Sequence, residues 1–108
     1  MDNLLLPIGS VVKLRKGNQL LMIEGYLTND TSNPNKFYDY VACEYPYGLR
    51  TDKIIMFYHK DIDEVVFIGY QTDGAINFRK EITAIKEKMD NNIPYQQAVE
   101  EIKKEGNN

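Results

Sequence analysis

The first three quarters of the chain alternate between short apolar runs and clusters of turn-forming residues. The runs fall at residues 11–15, 19–27, 37–45, 54–59 and 65–70 and are rich in β-branched, aliphatic and aromatic side chains, which favour β-strands. Glycine, proline, asparagine and aspartate separate them at intervals of roughly ten residues. This pattern predicts five antiparallel strands in a small SH3-like barrel, strongly bent or partly open, with a short 3₁₀-like turn before the last strand.

The stretch 37–48 is predicted to contain the central strand of this sheet. Alternation along a strand places two sets of residues on opposite faces: Tyr38, Tyr40, Ala42 and Glu44 on one, and Phe37, Val41, Cys43 and Tyr45 on the other. Residues 28–36 are turn formers throughout, so we expect an exposed loop of about nine residues there. Gly25 interrupts the preceding apolar run and is expected to mark a bulge or sharp bend.

The periodicity changes from strand-like to helical after Gly74. Four apolar residues then recur at spacings of four, three and four, as on one stripe of an α-helix: Phe78, Ile82, Ile85 and Met89. Asn77 is the predicted N-cap of this helix, and Pro94 suits the first turn of a second one. The chain therefore divides into an SH3-like β-domain at residues 1–75 and amphipathic helices at residues 76–108. We expect these helices to form a hairpin that packs on the barrel or on a partner.

Composition narrows the class of protein. The chain has 108 residues and a net charge of −3, and a mildly acidic surface disfavours binding to phosphate chains. One cysteine, Cys43, excludes an intrachain disulfide framework and fits a reducing compartment. The first residues resemble neither a signal peptide nor a membrane span. We therefore expect a cytoplasmic protein with no membrane partner.

Two groups of residues have the composition of reactive sites. His59, Asp61 and Asp63 alternate in sequence and would share one face if the strand continued, which is the pattern of a metal site. The segment is better interpreted as a turn that His59 and Asp61 orient by hydrogen bonding. Cys43 with His59 would suit a nucleophile and its base, but neither an orienting group nor an oxyanion-binding turn accompanies them. We therefore predict no enzyme activity, no metal and no cofactor.

Tyrosines are concentrated in the middle of the chain. Five of the eight lie between residues 38 and 58. The helices would cover this aromatic face, or it would bind a protein, because interfaces favour tyrosine, or it would stack nucleic-acid bases. We predict a protein-binding surface, with tyrosines as contacts and two cations at its rim: Tyr38, Tyr40, Tyr47, Tyr58, Arg50 and Lys53.

Four sequence strings resemble a known family. They are Leu-Pro-Ile-Gly-Ser-Val-Val from Leu6, Leu-Met-Ile-Glu-Gly from Leu21, Tyr-Asp-Tyr-Val-Ala-Cys-Glu-Tyr-Pro-Tyr-Gly from Tyr38 and Phe-Tyr-His-Lys-Asp-Ile-Asp-Glu-Val-Val-Phe-Ile-Gly-Tyr from Phe57. In order and spacing they are similar to a domain of unknown function, family 4176, of Gram-positive bacteria. The resemblance spans about residues 4–78, and no motif in it specifies a reaction.

The resemblance implies a role beside type VII secretion, because members of that family are commonly encoded with LXG-type toxins. It suggests a non-enzymatic chaperone or targeting factor that binds one toxin before export. A toxin immunity protein would share this setting and would engage the toxic domain instead of the export domain. A small barrel that binds single-stranded nucleic acid is a further alternative, although the charge disfavours it. Whether the protein forms a homodimer is left open.

Overall fold

The computed structural model describes residues 4–106 and has an α+β architecture. Five strands form one antiparallel sheet in the order β4-β3-β2-β1-β5, and two helices follow. The strands are β1 (Val11–Leu14), β2 (Leu21–Asp30), β3 (Asn33–Glu44), β4 (Ile55–Phe57) and β5 (Ile62–Phe67). A 3₁₀ turn at His59–Asp61 joins the last two strands, and the helices are α1 (Asp73–Asp90) and α2 (Tyr95–Gly106).

The sheet is open, with β4 and β5 as its two edges. These edge strands are joined by the short 3₁₀ turn, so the sheet must curl to bring them near each other. The Arg15 N–H donates to the Asp61 carbonyl at 3.1 Å, which ties the end of β1 to this turn. Closure into an SH3-like barrel is not confirmed, because no pairing joins β4 to β5 within residues 4–106.

The hairpin between β2 and β3 is longer than predicted. We expected residues 28–36 to form a loop, but β2 continues to Asp30, which pairs with Asn33 at the start of β3. The turn needs only two residues because the Asp30 carboxylate accepts a hydrogen bond from the Ser32 N–H at 3.0 Å. An Asx turn of this kind lets a polar segment reverse tightly and remain extended on either side.

The predicted irregularity at Gly25 is confirmed. The register of β2 against β3 shifts between Ile23 and Gly25, so β2 bulges there. A Cβ atom on Gly25 would lie 3.1 Å from a methyl group of Val41, a tight contact with the neighbouring strand. Two residues further on, Leu27 has a positive φ of 50° although it is buried. This left-handed conformation bends β2 and turns the Leu27 side chain toward the helices.

Two apolar clusters hold the sheet and the helices together. The sheet cluster contains fully or nearly fully buried residues from the N-terminal segment and from β1 to β4: Leu5, Val12, Leu21, Ile23, Tyr40, Ala42 and Phe57. The helical cluster is formed by Leu27, Ile85 and Ala98. Ile82 packs against both clusters, and the rings of Phe37 on β3 and Tyr95 on α2 stack at 5.0 Å. Both helices therefore lie against the sheet.

Helix α1 begins one turn earlier than predicted. Its N-cap is Thr72, whose hydroxyl accepts a hydrogen bond from the Ala75 N–H at 3.0 Å, so the expectation of a cap at Asn77 is wrong. The periodic apolar stripe starts only at Phe78, which hid the first turn from a pattern based on hydrophobicity. No helix among residues 4–106 is long and apolar enough to cross a bilayer.

Candidate functional site

The structure separates the six predicted contact residues into three places. Tyr38 and Tyr58 lie together beside a cleft between the sheet and α1. Tyr40 lies in the core. The other three residues lie in the connection between β3 and β4: Tyr47, Arg50 and Lys53. Tyr38 and the end of β3 are six residues apart, which is about 20 Å of strand. The predicted set therefore does not form one surface.

The assignment of Tyr40 to a binding surface is wrong. Its side chain has no exposed surface, and its ring lies 5.3 Å from Phe57 and 6.1 Å from Tyr26. Tyr40 and Ala42 share the face of β3 that lies on the sheet cluster. Burial raises the pKa of the Tyr40 hydroxyl above its ordinary value.

Tyr38 and Tyr58 form an aromatic pair with a cation beside each ring. Their ring centroids are 5.0 Å apart, and both side chains are partly exposed. The Lys36 ammonium lies 5.2 Å from the centroid of the Tyr38 ring, and the Lys60 ammonium lies 5.5 Å from that of Tyr58. Both distances fall within the range of cation–π attraction. The pair thus offers a small aromatic surface with a positively charged border.

The cleft next to this pair has a volume of about 650 Å³ and contains a buried carboxylate. Asp39 accepts a hydrogen bond from the His59 N–H at 2.8 Å and lies 3.8 Å from the Lys86 ammonium. Burial raises the pKa of Asp39, and the His59 N–H and the charge of Lys86 offset only part of that effect. Lys86 also pairs with Asp90 at 2.7 Å. The cleft therefore holds a largely compensated set of charges.

His59 and Asp61 both stabilise the 3₁₀ turn. The Asp61 carboxylate accepts a hydrogen bond from the Tyr58 N–H at 3.0 Å, and His59 Nδ1 lies 2.6 Å from the Tyr40 hydroxyl. The turn interpretation of this segment is confirmed, although the His59 side chain contacts Tyr40 and not Asp61, and it is the backbone N–H of His59 that donates to Asp39. Within residues 4–106, no group of three His, Cys, Asp or Glu side chains is arranged to hold a metal ion.

Cys43 is fully buried in β3. Burial raises the pKa of its thiol, and the nearby Glu24 carboxylate raises it further. Since the thiolate is the nucleophilic form, this environment opposes reactivity. Its Sγ lies 3.9 Å from the Met22 carbonyl oxygen, and the side chain acts as a small apolar core residue.

The connection between β3 and β4, which we call the β3–β4 loop (residues 45–54), carries several large apolar side chains that are exposed to solvent. Four of them are 45–68% exposed: Tyr45, Tyr47, Leu49 and Ile54. Sequence reasoning missed Leu49 and Ile54. The available signal was the presence of large aliphatic residues inside a segment otherwise made of turn formers.

The backbone of the β3–β4 loop is well anchored. The Tyr45 N–H donates to the Leu20 carbonyl at 2.8 Å, and the Gln19 side chain donates to the Tyr45 carbonyl at 2.9 Å. Bridges pair Glu44 with Gly48 and Arg50 with Lys53. Hydrogen bonds thus fix the backbone of the loop, while its apolar side chains are exposed to solvent.

The cations predicted at the rim both pair with acids of the same region. Arg50 lies 3.7 Å from Asp52, and Lys53 lies 3.4 Å from Glu44. These exposed pairs contribute little to stability, and they lie in the same loop as the exposed apolar side chains.

These features define a small α+β protein with an anchored apolar loop and a separate aromatic pair. The sequence model of a protein family described as a domain of unknown function, DUF4176, matches residues 5–78, which is well over half of the chain. The chain belongs to this family. The match covers the whole sheet and the start of α1, and α2 lies outside it. No curated protein and no solved structure matches the chain.

Proposed function

We propose that this protein is a non-enzymatic, protein-binding accessory factor of type VII secretion, acting in the cytoplasm as a chaperone or targeting factor for one LXG-type toxin. The observation that carries protein binding is the anchored β3–β4 loop with its four exposed apolar side chains. The secretion role rests on the resemblance to a Gram-positive family encoded beside such toxins. The single 3₁₀ turn before β5 also supports an open variant of the SH3-like barrel.

Exposed apolar groups of this size favour contact with another apolar surface. Monomeric proteins seldom expose large contiguous apolar patches unless they bind something. Tyr47 and Leu49, each about two-thirds exposed, are the most accessible of the four apolar side chains. Since the loop backbone is already hydrogen-bonded to the residues just before β2 and to the end of β3, less conformational entropy is lost when a partner binds. Tyrosine and arginine are also the residues most often found at interface hot spots.

Alanine variants in the loop test this proposal. Tyr47→Ala and Leu49→Ala are each expected to weaken binding to a purified LXG-type toxin from the same genome by roughly fivefold or more, since hot-spot truncations cost over about 1 kcal/mol. Isothermal titration calorimetry gives the affinity, and circular dichroism verifies folding. Tyr70→Ala is the matched control, because Tyr70 is 86% exposed but lies outside the loop. Wild-type affinity in both loop variants would contradict the proposal.

An immunity protein is the alternative within the same system. It would also bind a toxin through an apolar surface, but it would engage the C-terminal toxic domain. The two roles therefore differ in the toxin fragment that binds, which truncation of the toxin separates.

One observation favours a second class of function, the binding of single-stranded nucleic acid. Lys36 and Lys60 flank the partly exposed rings of Tyr38 and Tyr58, and aromatic rings with adjacent cations form stacking platforms for bases. Fluorescence anisotropy with a labelled oligothymidylate tests this class. Binding that weakens with salt at a logarithmic slope near −1.4, as about two neutralised phosphates predict, and that is lost in Tyr58→Ala would favour it over toxin binding. The acidic net charge of −3 argues against it.

A further inference from the structure

The cleft beside Tyr38 and Tyr58 is bounded by three parts of the chain. The first half of β3 forms one wall, the 3₁₀ turn forms the second and the last turn of α1 forms the third. Leu27, Phe37 and Met89 supply apolar surface in the cleft, and the last two are only partly buried. Its volume of about 650 Å³ is in the range of sites that take a drug-sized ligand, and it would admit a few side chains of a peptide.

Two cations of this cleft have no acidic partner. Lys36 and Lys60 are both exposed, and neither forms an ion pair within residues 4–106. Their ammonium groups lie 5.2 and 5.5 Å from the centroids of the Tyr38 and Tyr58 rings, so each charge is positioned by a cation–π contact. This side of the cleft therefore combines two unpaired positive charges with an aromatic surface.

The side of the cleft formed by α1 has the opposite character. Lys86 is already paired, because its ammonium lies 2.7 Å from the Asp90 carboxylate and 3.8 Å from that of Asp39. The Asp90 side chain is 62% exposed, and α1 ends at this residue, so the negative end of the helix dipole also lies here. An occupant of the cleft should therefore place an anionic group toward the two unpaired lysines and a neutral group toward α1.

We propose that this cleft binds an acidic peptide segment of a partner protein, in which carboxylates flank an aromatic or large aliphatic side chain. The carboxylates pair with Lys36 and Lys60, and the apolar side chain packs on Phe37 and Met89. The inference is independent of toxin binding by the β3–β4 loop, because no residue of that loop lines the cleft.

The two-sided charge of the cleft favours a peptide over a nucleic acid. Every nucleotide of a strand brings a phosphate, and binding of such strands depends on neutralising several phosphates together. A strand attracted by Lys36 and Lys60 would therefore bring further phosphates toward Asp90, which repels them. An acidic side chain brings one charge, and its neighbours in the peptide can be neutral. The cleft thus matches isolated carboxylates better than a chain of phosphates.

The positions of the cleft side chains reduce the cost of binding. An exposed ion pair usually contributes little, because two long side chains must be fixed in one geometry. Here the ring contacts already restrict Lys36 and Lys60, and Phe37 is stacked on Tyr95 at 5.0 Å. Less conformational entropy is therefore lost from the protein when the peptide binds. Affinity should depend on both the carboxylates and the apolar side chain of the peptide.

Titration of the ¹⁵N-labelled full chain with the capped peptide acetyl-Gly-Asp-Phe-Asp-Leu-Gly-amide tests the proposal. The dissociation constant is expected to be about 1 mM or lower, with amide shift changes concentrated in residues 35–39, 58–60 and 86–90. The same peptide with asparagine in place of both aspartates should bind at least about tenfold more weakly, because it lacks the charges that the lysines attract. Alanine in place of the phenylalanine should also weaken binding.

Charge reversal tests the assigned contacts. Lys36→Glu and Lys60→Glu are each expected to weaken binding of the acidic peptide by about tenfold or more, because like charges then face each other. Lys16→Glu is the matched control, since Lys16 is exposed in the turn after β1 and does not line the cleft. Tyr47→Ala should bind the peptide as wild type does, which separates this site from the β3–β4 loop. Circular dichroism verifies that each variant is folded.

Three results would overturn the proposal. The first is the absence of shift changes in the cleft residues at about 10 mM peptide, a concentration that would detect even weak binding. The second is equal affinity for the acidic and the asparagine peptides. The third is tighter binding of an oligothymidylate than of the acidic peptide at the same residues, which would assign the cleft to nucleic acid.

Discussion

Removal of the Tyr40 hydroxyl tests how the core positions the 3₁₀ turn. This hydroxyl accepts a hydrogen bond from the Leu6 N–H at 2.9 Å, and it lies 2.6 Å from His59 Nδ1. Its own hydrogen is therefore available to His59 Nδ1, which predicts that the neutral imidazole carries its hydrogen on Nε2. One buried oxygen thus ties together the N-terminal segment, β3 and the turn.

Tyr40→Phe keeps the ring, so packing against Phe57 should be retained and both hydrogen bonds lost. At about 1 kcal/mol for each bond, plus the cost of leaving the partly buried Leu6 N–H unsatisfied, the free energy of unfolding should fall by about 2–3 kcal/mol. This corresponds to about 10 °C in Tm for a chain of this size.

Urea denaturation and thermal melting measure this loss. Tyr70→Phe is the control, because Tyr70 is largely exposed and its hydroxyl reaches solvent. Imidazole nitrogen chemical shifts of the wild-type protein should show the Nε2–H tautomer of His59. A loss below about 0.5 kcal/mol in Tyr40→Phe, or the opposite tautomer of His59, would contradict these roles of the Tyr40 hydroxyl.

Three further substitutions test other parts of the structure. The raised pKa of Asp39 means that the native state keeps this proton to higher pH than the unfolded chain. The stability due to this group therefore falls as pH rises from the ordinary pKa of 3.8 to the raised pKa of the native state. Urea melts at pH 4 and 7 should show that Asp39→Asn gains stability relative to wild type at the higher pH. An equal difference between the two proteins at both pH values would contradict this. Gly69→Ala should lower the free energy of unfolding by over about 2 kcal/mol, since the added Cβ would clash with the Ile8 carbonyl oxygen. A Tm equal to that of wild type would contradict the close approach of Gly69 to the Ile8 backbone. Thr72→Ala should cost about 1 kcal/mol through loss of the α1 cap, with Thr72→Ser expected to restore most of it in the same assay, and a neutral alanine variant would exclude this cap.

The succession of five strands along the chain, the bulge at Gly25 and the two helices could be predicted from the sequence because each depends on local chemistry. Alternating β-branched residues predicted the strands, and Gly25 predicted the bulge. The 3₁₀ turn was anticipated near its observed position at His59–Asp61. The apolar stripe on α1 required only helical spacing.

Local patterns did not predict which face of β3 is covered. Tyrosine suits both a core and an interface, so the side chain of Tyr40 alone does not indicate its burial. The hairpin after Asp30 was interpreted as a loop because its residues are polar, yet polar residues can also form exposed strands when a neighbouring strand pairs with them. The exposure of Leu49 could not be predicted from hydrophobic periodicity, because Leu49 lies in a loop and not in a helix or strand. Each error arose where tertiary contacts decide between two locally acceptable conformations.

Titration of the purified protein against the two halves of an LXG-type toxin tests the central proposal most directly. We expect micromolar or tighter binding to the N-terminal export region, with no measurable affinity for the C-terminal toxic domain. Binding confined to the toxic domain would instead identify an immunity protein. Absence of binding to either fragment at 100 μM would contradict the proposed role in toxin export.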